Sequence, residues 1–124
     1  MSALSRIRTL DRLGTGIERI YRETMATTPG DVEVCLGLEV LTAFLRDCAC
    51  AAEKTLWPRE DGSRLLQEYH AACANELIAP LHGLVRKILG QDLLHVWLHA
   101  VPDTKDKLLV LILTKAPDAT GEET

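Results

Sequence analysis

The sequence has few aromatic residues, no long apolar run and no excess of positive charge. Aromatic side chains make up 4% of the 124 residues, which argues against a stacking surface for single-stranded nucleic acid. A net charge of −4 disfavours a broad phosphate-binding face. The longest apolar run, residues 108–113, falls far short of the roughly 20 residues that a membrane-spanning helix needs. Charged residues interrupt residues 1–13, so we expect no secretory signal peptide. These features predict a soluble, cytoplasmic protein with no nucleic-acid partner and no membrane span.

Cysteine content fits a reducing compartment. There are four cysteines, Cys35, Cys48, Cys50 and Cys73. A chain of 13.7 kDa folds as one domain whose core needs no disulfide, so we predict free thiols. We place this domain at residues 1–116. The polar and acidic residues 117–124 are predicted to form a flexible tail, because they contain nothing to bury.

Hydrophobic spacing predicts three helices and four strands. Apolar residues three and four apart indicate a first helix and a long helix that ends before Gly90. Gly14 and Gly16 favour a break in the first helix, with Thr15 and Glu18 as a capping box for a better helix over residues 17–25. Strands are predicted over residues 32–36, 40–45, 94–100 and 108–114, a short helix over 50–56, and a loop over 59–62.

This order of elements predicts the fold class. Each pair of strands is joined by a short link, which favours an antiparallel hairpin. One hairpin precedes the long helix and the other follows it. We predict an α+β fold, a two-layer sandwich of order α-β-β-α-α-β-β, in which a mostly antiparallel four-stranded sheet carries its helices on one face.

Two strands leave apolar surface that this packing does not cover. Residues 40–45 and 108–113 are apolar on both faces, whereas a sheet covered on one face alternates apolar and polar side chains. We therefore expect a second copy to cover the other face and make a homodimer.

The third strand supplies the predicted interface residues. Three side chains share one face of it: His95, Trp97 and His99. The alternate positions, which we assign to the helix side, are Leu94, Val96 and Leu98. Because a large aromatic residue is a common interface anchor, we place Trp97, with its two histidines, at the dimer interface.

No catalytic, cofactor or metal motif is present, and we predict no residue for any of these roles. His70 and Cys73 are three apart on a helix and could share a metal, but the chain lacks the repeated ligand spacing of a strong zinc site. Cys48 and Cys50 lie between a strand and a helix, a location that can activate a thiol, so they are the candidate reactive thiols. The mixed charges of residues 103–107 predict a solvated turn.

Several landmarks occur in a familiar order. They are residues 17–23 of the first helix, the Pro29-Gly30 turn, the strand at 32–36, a second apolar strand, the stretch Ala52-Glu53-Lys54-Thr55-Leu56, a long helix with Glu76-Leu77-Ile78, and Gly90 just before a strand. Together they resemble the bacterial MpsC-type domain, which is described as sodium-translocating or membrane-potential-generating. The likeness spans residues 17–114, and its most specific part is the stretch at 52–56. The chain departs from the pattern at residues 26–29, Cys48, Cys50 and Pro80.

The resemblance implies a fold and a class but no catalytic residues. A direct transport role conflicts with the lack of a predicted membrane span. We therefore predict a non-enzymatic regulatory or accessory module that forms a homodimer and binds a partner protein or a small ligand. The alternatives are a thiol- or histidine-dependent enzyme, and a metal or redox sensor that uses Cys48, Cys50 and nearby histidines.

Overall fold

A computed structural model describes residues 2–115. Its elements, in chain order, are α1 (Ala3–Met25), β1 (Asp31–Leu36), β2 (Val40–Arg46), α2 (Ala51–Leu56), α3 (Glu60–Leu89), β3 (Leu93–Ala100) and β4 (Lys107–Leu113). The strands form one antiparallel sheet in the order β1-β2-β4-β3. The predicted α+β class, the order of elements and both hairpins are confirmed. The predicted tail at 117–124 lies outside the described residues.

One face of the sheet carries the hydrophobic core. Side chains alternate between the two faces of a strand, and the registers bring the buried positions of β2, β3 and β4 and the half-buried positions of β1 to the same side. The fully buried apolar positions on β2 and β4 are Leu41, Ala43, Leu45, Leu109, Leu111 and Leu113. Helices α1 and α3 pack against this inner face and against each other.

The first helix is continuous, so the predicted break near Gly14 is wrong. Helix α1 begins after Ser2, whose hydroxyl oxygen accepts the Ser5 backbone N–H at 3.1 Å. Gly16 is buried where α1 meets α3, and a Cβ there would lie 2.5 Å from the Leu84 Cδ1 atom. The glycine therefore allows two helices to approach closely and does not interrupt one. The proposed capping box at Thr15 and Glu18 lies inside the helix.

The long helix begins earlier than predicted. The predicted loop at residues 59–62 is wrong for all but its first residue, because α3 starts at Glu60. Gly62 permits this start, since a Cβ there would lie 2.3 Å from the Leu56 carbonyl oxygen. Helix α3 continues through Pro80 and ends at Gly90, which has the left-handed conformation expected of a C-terminal glycine.

A register shift in β3 changes the side of one residue. The pairing of β3 with β4 is irregular between Leu93 and His95. Val96 and Leu98 face the helices as predicted, but Leu94 is 62% exposed. The irregularity displaces Leu94 from the alternation that holds for the rest of the strand.

The two glycines Gly16 and Gly83 give a matched stability test. Gly83→Ala should stabilise the protein by about 1 kcal/mol, because a Cβ at this exposed helical position meets nothing within 4 Å. Gly16→Ala should instead destabilise it by about 1 kcal/mol, since crowding against Leu84 outweighs the gain in helix propensity. Chemical denaturation measures both changes. A stabilising Gly16→Ala would show that the contact between α1 and α3 is loose.

Candidate functional site at the edge of the sheet

A buried charged cluster lies where α2, α3 and β4 meet. Lys107 is 1% exposed, and its Nζ atom lies 2.9 Å from Oε1 of Glu53. The same oxygen lies 3.2 Å from Nε2 of His70, a residue that is 3% exposed. The second carboxylate oxygen of Glu53 accepts the Cys50 backbone N–H at 3.0 Å. One side chain of α2 therefore joins a helix start, the long helix and a central strand.

Electrostatics of the cluster favour a charged Glu53 and a neutral His70. Burial alone would raise the pKa of Glu53, but hydrogen bonds from Lys107 and the Cys50 amide, with the Lys107 charge, hold that pKa below its ordinary value. Burial, aided by the Lys107 charge, lowers the pKa of His70, and its contact with Glu53 opposes this only in part. The cluster thus holds one anion and one cation that neutralise each other.

The predicted solvated turn at residues 103–107 is wrong at its last residue. Lys107 is the first residue of β4, and its side chain points to the same face as Leu109 and Leu111. The alternation of side chains along β4 could have shown that Lys107 faces inward, because it lies two residues before Leu109. Glu53, its partner, belongs to the stretch at 52–56 that carries the family resemblance, whereas the neighbouring Lys54 is exposed.

Three hydrogen bonds join the turn between β3 and β4 to the connection that precedes α2. The Lys105 carbonyl oxygen accepts the backbone N–H groups of Cys48 and Ala49 at 2.7 and 2.9 Å. The side-chain carboxylate of Asp106 accepts the Asp47 backbone N–H at 2.8 Å. These bonds hold the start of β4, and therefore Lys107, beside the start of α2.

A groove of about 520 Å³ lies beside this cluster, between α3 and the outer edge of β3. We call it the β3 groove. His70 connects the two features, because it contacts Glu53 and also lines the groove. The other lining residues are Trp57, Gln67, Ala71, Ala74, Asn75 and residues 95–100.

His95, Trp97 and His99 share one face of β3, as predicted. They lie opposite Ile112, Val110 and Leu108 of β4. The rings of His95 and Trp97 meet edge to face with centroids 4.5 Å apart, and Trp97 is 45% exposed. The assignment of these three residues to a dimer interface stays a prediction.

The face of the sheet opposite the helices is apolar at its centre. We call it the outer face. In residues 2–115, no helix packs against it. Its apolar members are Val40, Phe44, Leu108, Val110, Ile112 and Trp97. Its charged border includes Arg46, which lies 4.3 Å from the Phe44 ring centroid and 3.4 Å from Glu33. An apolar centre with a charged border is the usual pattern of a contact surface.

Two of the cysteines, Cys48 and Cys73, are buried and two, Cys35 and Cys50, are exposed. Cys48 does not lie in an open connection but is 3% exposed, and its Sγ lies 3.5 Å from the Leu45 carbonyl oxygen. Burial raises the pKa of Cys48 and also that of Cys73. Burial disfavours reaction at Cys48, and the reactivity of both Cys48 and Cys50 stays a prediction.

His70 and Cys73, the pair considered for a metal, are both buried on α3. Nε2 of His70 is engaged with Glu53. Within residues 2–115, no three His, Cys, Asp or Glu side chains converge on a point where they could hold a metal ion.

Comparison with known proteins identifies the family. Residues 9–115 match the family described as the Na+-translocating membrane potential-generating system (MpsC). The match covers most of the chain, so the protein belongs to this family, as the sequence landmarks predicted. No curated protein and no solved structure shows a significant match. No helix in the described part of the chain is both long enough and apolar enough to span a membrane.

The charged cluster predicts that the stability of the protein depends strongly on charge pairing. Glu53→Gln should destabilise the protein by about 3–5 kcal/mol, because it leaves the buried Lys107 charge without its anion. The double variant Glu53→Gln with Lys107→Met should recover most of this loss, since no unpaired charge remains. Lys54→Gln, an exposed change in the same helix, should stay within about 0.5 kcal/mol of the native protein. If chemical denaturation gives Glu53→Gln and Lys54→Gln the same free energy of unfolding, Lys107 is not buried as a cation.

Thiol accessibility predicts the order of modification. In the folded protein Cys35 and Cys50 should react with a thiol reagent first, because both are exposed. Cys48 and Cys73 should react at least about ten times more slowly, because burial restricts access and disfavours the thiolate. Mass spectrometry of peptides from a time course measures the order. Early labelling of Cys48 would restore it as a candidate reactive thiol.

Proposed function

We propose that the chain is a cytoplasmic, non-enzymatic accessory module of the membrane-potential-generating system named in its family description, and that it works as a homodimer. The observation that carries this proposal is the uncovered apolar centre of the outer face. The free thiols of the described residues suit a reducing compartment. The buried titratable groups Glu53, Lys107 and His70 satisfy one another, which suits a structural role better than acid–base catalysis.

The outer face is suited to pairing with a second copy. A two-fold axis brings the same patch of each subunit together, so one apolar centre can cover another. Trp97 on β3 and Phe44 on β2 provide large aromatic side chains on this face. The Arg46 and Glu33 pair at the border carries both signs of charge, which permits complementary contacts between two identical faces.

The size of the face sets the expected affinity. Four strands about 4.8 Å apart and about six residues long cover roughly 20 by 20 Å. This is smaller than the roughly 800 Å² that each partner buries in a typical stable interface, so we expect a dissociation constant nearer micromolar than nanomolar. A ligand or partner of the module would then bind a dimer whose population depends on concentration.

Sedimentation velocity across the micromolar range tests the homodimer. The native chain should approach twice its 13.7 kDa mass as its concentration rises. Val110→Lys places a charge at the centre of the outer face and should leave a folded monomer. Trp97→Ala should weaken the dimer about tenfold or more, as expected for an aromatic anchor.

Leu65→Lys is the matched control. It introduces the same charge at an exposed leucine of α3, away from the sheet, and should leave the dimer intact. Circular dichroism establishes that each variant is folded. A native protein that remains a 13.7 kDa monomer at high micromolar concentration would overturn the homodimer. A dimer that Val110→Lys does not affect would move the interface away from the outer face.

A further inference from the structure

The outer edge of β3 offers unpaired backbone groups. Val101 N–H donates to the Asp106 carbonyl oxygen at 3.0 Å, which makes these two residues a hydrogen-bonded pair. Because such pairs alternate along an antiparallel ladder, the backbone groups of Val96, Leu98 and Ala100 point away from β4. In residues 2–115, no strand pairs with this side of β3. The edge therefore presents alternating N–H donors and carbonyl acceptors, which only another extended chain matches in full.

The two edges of the sheet differ in how well they are protected against pairing with another strand. At the β1 edge, the Arg6 guanidinium of α1 donates to the Leu36 carbonyl oxygen at 2.8 Å, and the strand carries Asp31 and Glu33. Natural proteins use such cover and charge to prevent pairing at exposed edges. Strand β3 contains no Asp, Glu, Lys, Arg or Pro along its eight residues. Its edge lacks these protective features and remains competent to pair.

The β3 groove provides room for the side chains of an added strand. Ala71 and Ala74 of α3 face β3 across it, and these small side chains leave the volume of about 520 Å³ open. A chain that pairs with β3 runs along the mouth of the groove, and every second side chain then points toward α3. A groove between an edge strand and a helix is a known arrangement for binding extended peptides by strand addition.

Charge in the groove favours an acidic occupant. The chain has a net charge of −4, yet the lining of the groove contains no carboxylate. Its polar members are the amides of Gln67 and Asn75 and the imidazoles of His70, His95 and His99. The amides of Gln67 and Asn75 lie on the α3 side of the groove and carry N–H donors that a carboxylate can accept.

We propose that the edge of β3 and the β3 groove bind an extended segment of a partner protein by strand addition, with acidic side chains of that segment directed into the groove. This site uses the backbone edge of β3 and does not require the homodimer, although Trp97 and its two neighbouring histidines border both the groove and the outer face. It assigns the accessory module a class of partner: a protein with an exposed extended segment in which acidic and apolar residues alternate.

Fluorescence anisotropy with a labelled peptide of alternating valine and glutamate, about seven residues long, tests the proposal. We expect saturable binding below about 1 mM. Two methylated forms of the same peptide give the control for strand addition. One carries N-methyl groups on the odd-numbered backbone nitrogens and the other on the even-numbered ones, so only one form loses the N–H groups that point toward β3. Methylation on the nitrogens that face β3 should weaken binding at least about tenfold, because it removes the donors that pair with the edge. A valine and lysine peptide should also bind at least about tenfold more weakly.

Two adjacent alanines give matched variants of the protein. Ala71→Glu places a carboxylate in the groove and should weaken binding of the acidic peptide at least about tenfold. Ala72→Glu makes the same change one residue further along α3, at an exposed position outside the groove, and should change binding by less than about twofold. Val110→Lys should retain peptide binding even if it separates the dimer, which distinguishes failure of this proposal from failure of the homodimer.

Several results would overturn the strand-addition site. They are the absence of saturable binding by the acidic peptide, equal affinity for both methylated forms and the parent peptide, and equal effects of the two glutamate variants. Ala71→Glu could instead convert the native dimer to a monomer and leave the peptide affinity unchanged. That result would assign the β3 edge to a second copy of the chain and would also overturn the strand-addition site.

Discussion

The three helices within residues 2–115 lie on one side of a four-stranded sheet, and this constraint determines the surfaces of the molecule. Helices α1 and α3 bury the inner positions of β2 and β4, and close contact at Gly16 lets them share a narrow sheet. The opposite side of the sheet has an apolar centre because β2 and β4 carry apolar side chains on both faces. One-sided cover therefore produces both the outer face and the groove beside β3. The two proposed binding surfaces are consequences of the same packing.

A buried ion pair fixes the end of the sheet at which the groove lies. The Glu53 carboxylate joins α2 to Lys107 of β4 and to His70 of α3, while the turn before β4 is bonded to the connection before α2. Such a pair has little net value for stability compared with an apolar contact of the same shape, but breaking it is costly. The pair holds α2 beside β4 with both charges paired. Trp57, which directly follows α2, and His70 of α3 both line the groove.

The sequence predicted those features that depend on local periodicity. Alternation predicted the strands and the shared face of His95, Trp97 and His99, and the three-and-four spacing predicted α3. Features that depend on distant partners were missed. A mixed-charge run gives no sign that Lys107 meets Glu53, because the two residues are brought together only by the fold. Gly16 was interpreted as a helix breaker because the α3 surface that it contacts is far along the chain. The burial of Cys48 follows from the same long-range packing.

The central claim is that the outer face of one copy covers the outer face of another. Isotope-filtered NMR on an equal mixture of labelled and unlabelled chains, at high micromolar concentration, tests it most directly. The account predicts intermolecular contacts between the methyl groups of Val110 or Ile112 in one copy and the Phe44 or Trp97 ring in the other. Intermolecular contacts confined to α1 or α3, or signals that arise only within single chains, would contradict it.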